Sequence, residues 1–127
     1  MKRLTCLGVL FLLMAMTLIG GQVHGSSLPN VIKLGAMAPL SGPSAASGQD
    51  MKEGYELAVA EINAKGGILG SKVELILEDD KNYPATGISA FEKLMSKDKV
   101  SVVMGSVSST VALALAGPAK RYQPIMA

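Results

Sequence analysis

The residues best suited to hold a small ligand are Gly105-Ser106-Val107-Ser108-Ser109-Thr110, which place three consecutive hydroxyls at the entrance of an expected helix. The first turn of a helix has free backbone N–H groups and a partial positive charge. Together with Ser and Thr hydroxyls, these groups can hold a carboxylate without a cationic side chain. Such binding is readily reversed, because no strong salt bridge must break on release. One hydroxyl is enough for ordinary N-capping, so a run of three points beyond a cap to ligand contact.

Two other loops invite chemistry. Pro39 to Gly48 is rich in Gly, Pro and Ser, but Gly42 and Gly48 are followed by neither the Lys of a phosphate-binding loop nor a third glycine. Both nucleotide motifs are therefore rejected. The cluster Glu78-Asp79-Asp80 could hold a hard cation only if further oxygen ligands converged on it, and no other strand end supplies an acid. Solvated or loop-capping carboxylates are the expected role. No metal and no cofactor is expected.

The elements that position these loops alternate between strand and helix. Val31 to Met37 is apolar at most positions, as a parallel strand buried on both faces should be. A helix is expected after Ser47, with Ser47 as cap and Asp50 completing a capping box. Met51, Tyr55, Ala58 and Ile62 recur at helical spacing as its buried face, while Glu53, Glu56, Glu61 and Lys65 form a wetter one. Gly66-Gly67 stop it, since glycine accepts the left-handed conformation that closes a helix. In the next strand, Lys72 to Glu78, Val73, Leu75 and Leu77 alternate with Glu74, Ile76 and Glu78, the pattern of a strand near a sheet edge.

Pro84 is a favoured first helical residue, and Ile88, Phe91, Leu94 and Met95 share one face of the helix it opens. A third strand over Val100 to Met104 ends at Gly105, a small-residue helix runs from about Val111 to Tyr122, and a fourth strand starts at Pro124. Strands alternating with helices of this length predict an α/β fold with a doubly wound parallel sheet. Ligands of such sheets bind beyond the carboxyl ends of the strands, where all three loops lie.

Residues 1–25 read as a cleaved signal peptide: Lys2 and Arg3, an apolar run from Leu4 to Ile19, a Gly20-Gly21 break, and small or tolerated residues before Ser26. Cys6 opens the apolar run rather than following it, which excludes a lipoprotein anchor. Cleavage would remove Cys6 and His24, the only cysteine and histidine, and leave ten basic against ten acidic residues. A neutral segment with few aromatics and no basic cluster gives no support to nucleic-acid binding. Residues 26–127 suffice for a small domain, yet Gln123-Pro124-Ile125-Met126-Ala127 reads as a strand just starting, so the expectation is an incomplete lobe.

Two stretches, Ala38-Pro39-Leu40-Ser41-Gly42-Pro43 and Asn63-Ala64-Lys65-Gly66-Gly67-Ile68-Leu69-Gly70, resemble the periplasmic binding proteins that feed branched-chain amino acid ABC importers. The resemblance extends over essentially everything after the signal peptide. It implies the first part of the N-terminal lobe of a two-lobed, type I binding protein. It also implies a periplasmic monomer that captures an amino acid or related small molecule and meets the membrane only through its permease. On the family pattern, Ser109 is the serine that holds the ligand carboxylate, Val107 and Ser108 supply nearby backbone, and Thr110 is its neighbour. In the family the first loop can offer an aromatic side chain to the ligand; Ser47 stands there instead, implying a more open or more polar pocket.

Two rivals remain at this point. An exported hydrolase would need an activated nucleophile, but residues 26–127 contain no His, no Cys and no Gly-x-Ser-x-Gly elbow. The same lobe could instead serve an amide or amino-acid sensor or receptor.

Overall fold

The computed structural model describes residues 29–127; the expected signal peptide, with Cys6 and His24, lies outside them. Strand β1 (Val31–Ala38) leads to helix α1 (Ala45–Ala64), followed by β2 (Lys72–Asp79) and α2 (Pro84–Lys93). A π-helical turn (Leu94–Asp98) precedes β3 (Val102–Met104); α3 (Ser109–Ala114), α4 (Ala116–Tyr122) and β4 (Ile125–Met126) complete the order. All strand pairs are parallel, in the order β2-β1-β3-β4. The order reverses direction after β2, so right-handed crossovers put α1 on one face and the later helices on the other. This is the α/β, doubly wound arrangement expected from the alternation.

The core lies on the face covered by α2, α3 and α4. Met37, Phe91, Leu94, Val103, Val111 and Leu115 are its buried centre, with Ile88 and Met95 half-buried against it. Phe91 meets Tyr122 edge-on, with centroids 6.1 Å apart. Helices α2 and α3 approach closely at Gly87, where a Cβ would fall 2.5 Å from Val111 Cγ1.

The α1 face is thinner than its periodicity suggests. Met51, Tyr55 and Ile62 are half-buried and Ala58 is exposed, so only part of the expected stripe is covered. The helix also starts earlier, at Ala45 after Ser44 rather than after Ser47, and no side chain caps it. The reason is tertiary. Gly48 is buried one turn inside, where a Cβ would stand 2.1 Å from the Pro39 carbonyl oxygen. The first turn is thus seated on the β1 exit, and Ser47 belongs to the helix instead of capping it.

Strand β2 is an edge strand, as its alternation implied. The Asn63 amide takes the place of a further strand beside it: Nδ2 donates to the Val73 carbonyl and Oδ1 accepts from the Val73 N–H, both at 2.8 Å. Just beyond, Gly66 (φ 97°) and Gly67 (φ 80°) end the helix in the left-handed region as expected.

Other boundaries differ as well. Strand β1 runs one residue longer than expected, and its first half is only partly covered. Val100 is buried but precedes β3, because its N–H closes the π-helical turn on the Leu94 carbonyl at 3.1 Å. The expected helix from Val111 to Tyr122 is two, α3 and α4, meeting at buried Leu115. Pro118 has no N–H to offer the Ala114 carbonyl, which interrupts the continuous ladder.

Candidate functional site

Because β1, β2 and β3 are parallel, the loops that follow them leave one edge of the sheet. The first two are tied together through the acids of the second. Asp79 accepts from the Leu40 N–H (2.9 Å), the Ser41 hydroxyl (2.6 Å) and the Lys81 N–H (2.9 Å). Burial alone would raise its pKa, but these hydrogen bonds outweigh it and hold the carboxyl below its ordinary value. Asp80, fully buried, accepts the Asn82 N–H at 2.8 Å, and Asn82 Nδ2 reaches the Ser44 hydroxyl at 3.1 Å. Lys81 and Asn82 adopt φ of 51° and 62°, a conformation that Asp79 and Asp80 stabilise by receiving the turn's N–H groups. Glu78 pairs with Lys93, and this hydrogen bond raises the Lys93 pKa. Asp79 and Asp80 are therefore loop-capping groups, the role the sequence pattern assigned to them.

The third loop leaves β3 through two residues of positive φ, Gly105 (90°) and Ser106 (138°). Ser106 then folds back on Ser108, its hydroxyl lying 3.3 Å from the Ser108 N–H and 3.4 Å from the Ser108 carbonyl. Ser108 occupies the cap position of α3 in an extended conformation, but its side chain does not cap. Its Oγ lies 2.7 Å from Thr110 Oγ1 instead. Ser109 is the exposed first residue of α3, and Val107 is 52% exposed beside it. Buried Val111 pins the loop's far end against Gly87.

Ser108, Ser109, Thr110 and Val107 are thus gathered at one helix entrance, with the hydroxyls not consumed by capping. Ser47 is exposed on the first turn of α1, after the loop that leaves β1 at the same edge of the sheet. Tyr55 was read from sequence only as part of a buried stripe. In the structure, a Cβ built on Gly105 would meet its hydroxyl oxygen at 2.9 Å, and burial raises its pKa. A phenol at a half-buried position is the one hint the sequence offered.

The model of the periplasmic binding protein family matches residues 31–124. The chain belongs to this family. Among relatives, the Leu/Ile/Val-binding protein BraC3 of Rhizobium johnstonii is 50% identical over 82 residues, 65% of this chain and 22% of that protein. The branched-chain amino acid transporter substrate binding protein LivJ of Streptococcus pneumoniae, solved in complex with isoleucine, superposes with a TM-score of 0.72 at 35% identity. That match covers 76% of this chain and 28% of LivJ. A Rhodopseudomonas palustris solute binding protein of an ABC transporter, solved with 3,4-dihydroxy benzoic acid, gives a TM-score of 0.68 at 28% identity over 77% of this chain and 26% of that one. The chain therefore spans only about a quarter of each of these relatives. The resemblance read from the Ala38–Pro43 and Asn63–Gly70 stretches and the α/β fold it implied both stand.

Proposed function

We propose that this lobe forms one half of the solute site of an extracytoplasmic binding protein that delivers a small carboxylate-bearing solute to an ABC importer. The observation that carries this reading is the third loop, whose Ser108, Ser109 and Thr110 hydroxyls stand uncommitted to capping at the start of α3. Isoleucine and 3,4-dihydroxybenzoic acid, held by two relatives, share little except a carboxylate, and neutral hydroxyl and N–H donors suit that group. On this reading Ser109 contacts the carboxylate, Ser108 and Val107 contribute backbone, and Thr110 orients Ser108. Ser47 leaves the neighbouring surface small and polar, room for a side chain other than a branched aliphatic one.

The protein binds and releases its solute without transforming it. It works in the periplasm as a monomer after signal cleavage, touching the membrane only through its permease. Closure of a second lobe over the solute would supply much of the burial that affinity requires.

Thermal-shift screening of the full-length protein against branched-chain amino acids, hydroxybenzoates and small amides tests this. A ligand that binds the native state raises its melting temperature by mass action. A shift with amides alone would overturn the carboxylate assignment, and no shift with any class would overturn the solute reading. Ser109→Ala should then weaken binding by about 1–3 kcal/mol, the cost of an unpaired buried group. Unchanged affinity in calorimetry would remove Ser109 from the site.

A further inference from the structure

The turn that launches the third loop has an unusual backbone. Ser106 carries a side chain yet sits at φ 138°, directly after Gly105 at φ 90°. Such a conformation costs a non-glycine residue free energy and persists only where its surroundings over-determine it. The hydrogen bonds of Ser106 to Ser108, at 3.3 and 3.4 Å, are too long to hold it alone. The residue before it, Gly105, stands in close quarters.

Three groups crowd it. A Cβ on Gly105 would come within 2.5 Å of the Met37 carbonyl oxygen, 2.9 Å of Tyr55 Oη and 3.4 Å of Met51 Cε. The first belongs to β1 and fixes one side of the turn. The other two come from α1, each by the terminal atom of its side chain, and Tyr55 Oη is the nearer of the two. On the other side, the Gly105 N–H is tied to the Ala127 carbonyl at 3.1 Å. The hydroxyl end of Tyr55 is thus wedged beneath the point where the loop leaves the sheet.

Its chemistry fits a wedge that must stay neutral. Burial is the one cause moving the Tyr55 pKa, and it moves it upward, so the phenol keeps its proton. An ionised group here would set a negative charge under a loop assigned to a carboxylate.

We propose that Tyr55 is a positioning residue of the solute site: its hydroxyl supports the Gly105–Ser106 turn and thereby aims Ser108, Ser109 and Thr110. The inference rests on the assignment of that loop to solute contact. Tyr55→Phe removes only the atom that lies 2.9 Å from where a Cβ on Gly105 would stand, and Tyr55→Leu shortens the side chain further.

Hydrogen exchange of the ligand-free full-length protein provides a readout independent of any solute. Amides 105–110 should exchange faster in Tyr55→Phe and faster still in Tyr55→Leu, while those of β1 and α2 keep wild-type rates. Affinity for isoleucine, or for 4-hydroxybenzoate if wild type prefers it, should fall up to about tenfold in Tyr55→Phe. Wild-type exchange at 105–110 in both variants would overturn the proposal, as would faster exchange spread evenly over the lobe. Wild-type protein that binds neither probe, with loop exchange still raised in the variants, would sink the solute reading and leave the wedge standing.

Discussion

Replacing Asn63 tests how the open edge of the sheet is managed. Its amide makes two 2.8 Å hydrogen bonds to the backbone of Val73, a residue only 5% exposed. Asn63→Ala leaves that N–H and that carbonyl without partners, and a group stripped in this way costs about 1–3 kcal/mol. Water can reach an edge strand, so the lower half of that range applies to each, giving about 2–4 kcal/mol for the pair. Urea denaturation should show the loss as a lower midpoint at unchanged slope. In amide exchange, the Val73 N–H should lose roughly 30-fold in protection, the ratio that corresponds to 2 kcal/mol of local opening. Asn63→Leu separates the causes, because it fills similar space without any hydrogen bond. The leucine variant should be as unstable as the alanine one. If leucine restores wild-type stability, packing rather than edge capping holds this helix end, and the reasoning is refuted.

Gly87→Ala would push a methyl group to within 2.5 Å of Val111 Cγ1 in the core. It should cost about 1–3 kcal/mol, the usual range for overpacking. Val111→Ala should recover part of that loss, so the double mutant will be more stable than the sum of the single changes allows. Asp79 predicts an acid limb of stability. Its carboxyl is held below the ordinary range by hydrogen bonds in the folded state, so as pH falls the unfolded chain takes up the proton first. The stabilisation is full above the ordinary carboxylate range and is lost as pH drops through the folded value. Asp79→Asn should therefore flatten the acid side of a stability-against-pH curve; an unchanged slope would exclude Asp79 as its source.

The parts of this fold that sequence revealed are those written in local chemistry. Gly66-Gly67 closed α1 because the needed φ values are glycine's own, and the Val73-Leu75-Leu77 alternation marked β2 as an edge because side-chain period reports coverage. The start of α1 escaped because Ser41, Ser44 and Ser47 are chemically equivalent as caps. What selects among them is the contact of Gly48 with Pro39, brought together by tertiary packing. The break at Leu115 was written in Pro118 but outweighed by a run of helix-favouring residues. In the candidate site, the hydroxyl run could be read directly, because three adjacent residues and one helix entrance define it. Tyr55 could not, since its meeting with Gly105 joins positions fifty residues apart on different elements.

Placing a carboxylate at this edge raises an electrostatic difficulty, since Glu78, Asp79 and Asp80 stand at the end of a neighbouring strand. Two like charges 4 Å apart repel by about 4 kcal/mol at the effective dielectric of a protein surface, enough to abolish weak binding. The fold engages each of these acids before any solute arrives, though the buried Asp80 Oδ2 has no hydrogen-bond partner among the described residues. Glu78 is paired with Lys93, Asp79 is wrapped by donors from the first and second loops, and Asp80 receives the Asn82 N–H. The acids thereby spend their charge on fixing the geometry of the loops, while the third loop keeps neutral donors facing outward. An arrangement with a lysine at the third loop would hold a carboxylate more tightly, but it would also attract Asp79 out of its role and slow release. The division between charged groups that build the edge and uncharged groups proposed to meet the solute therefore suits the reversible binding proposed for this site.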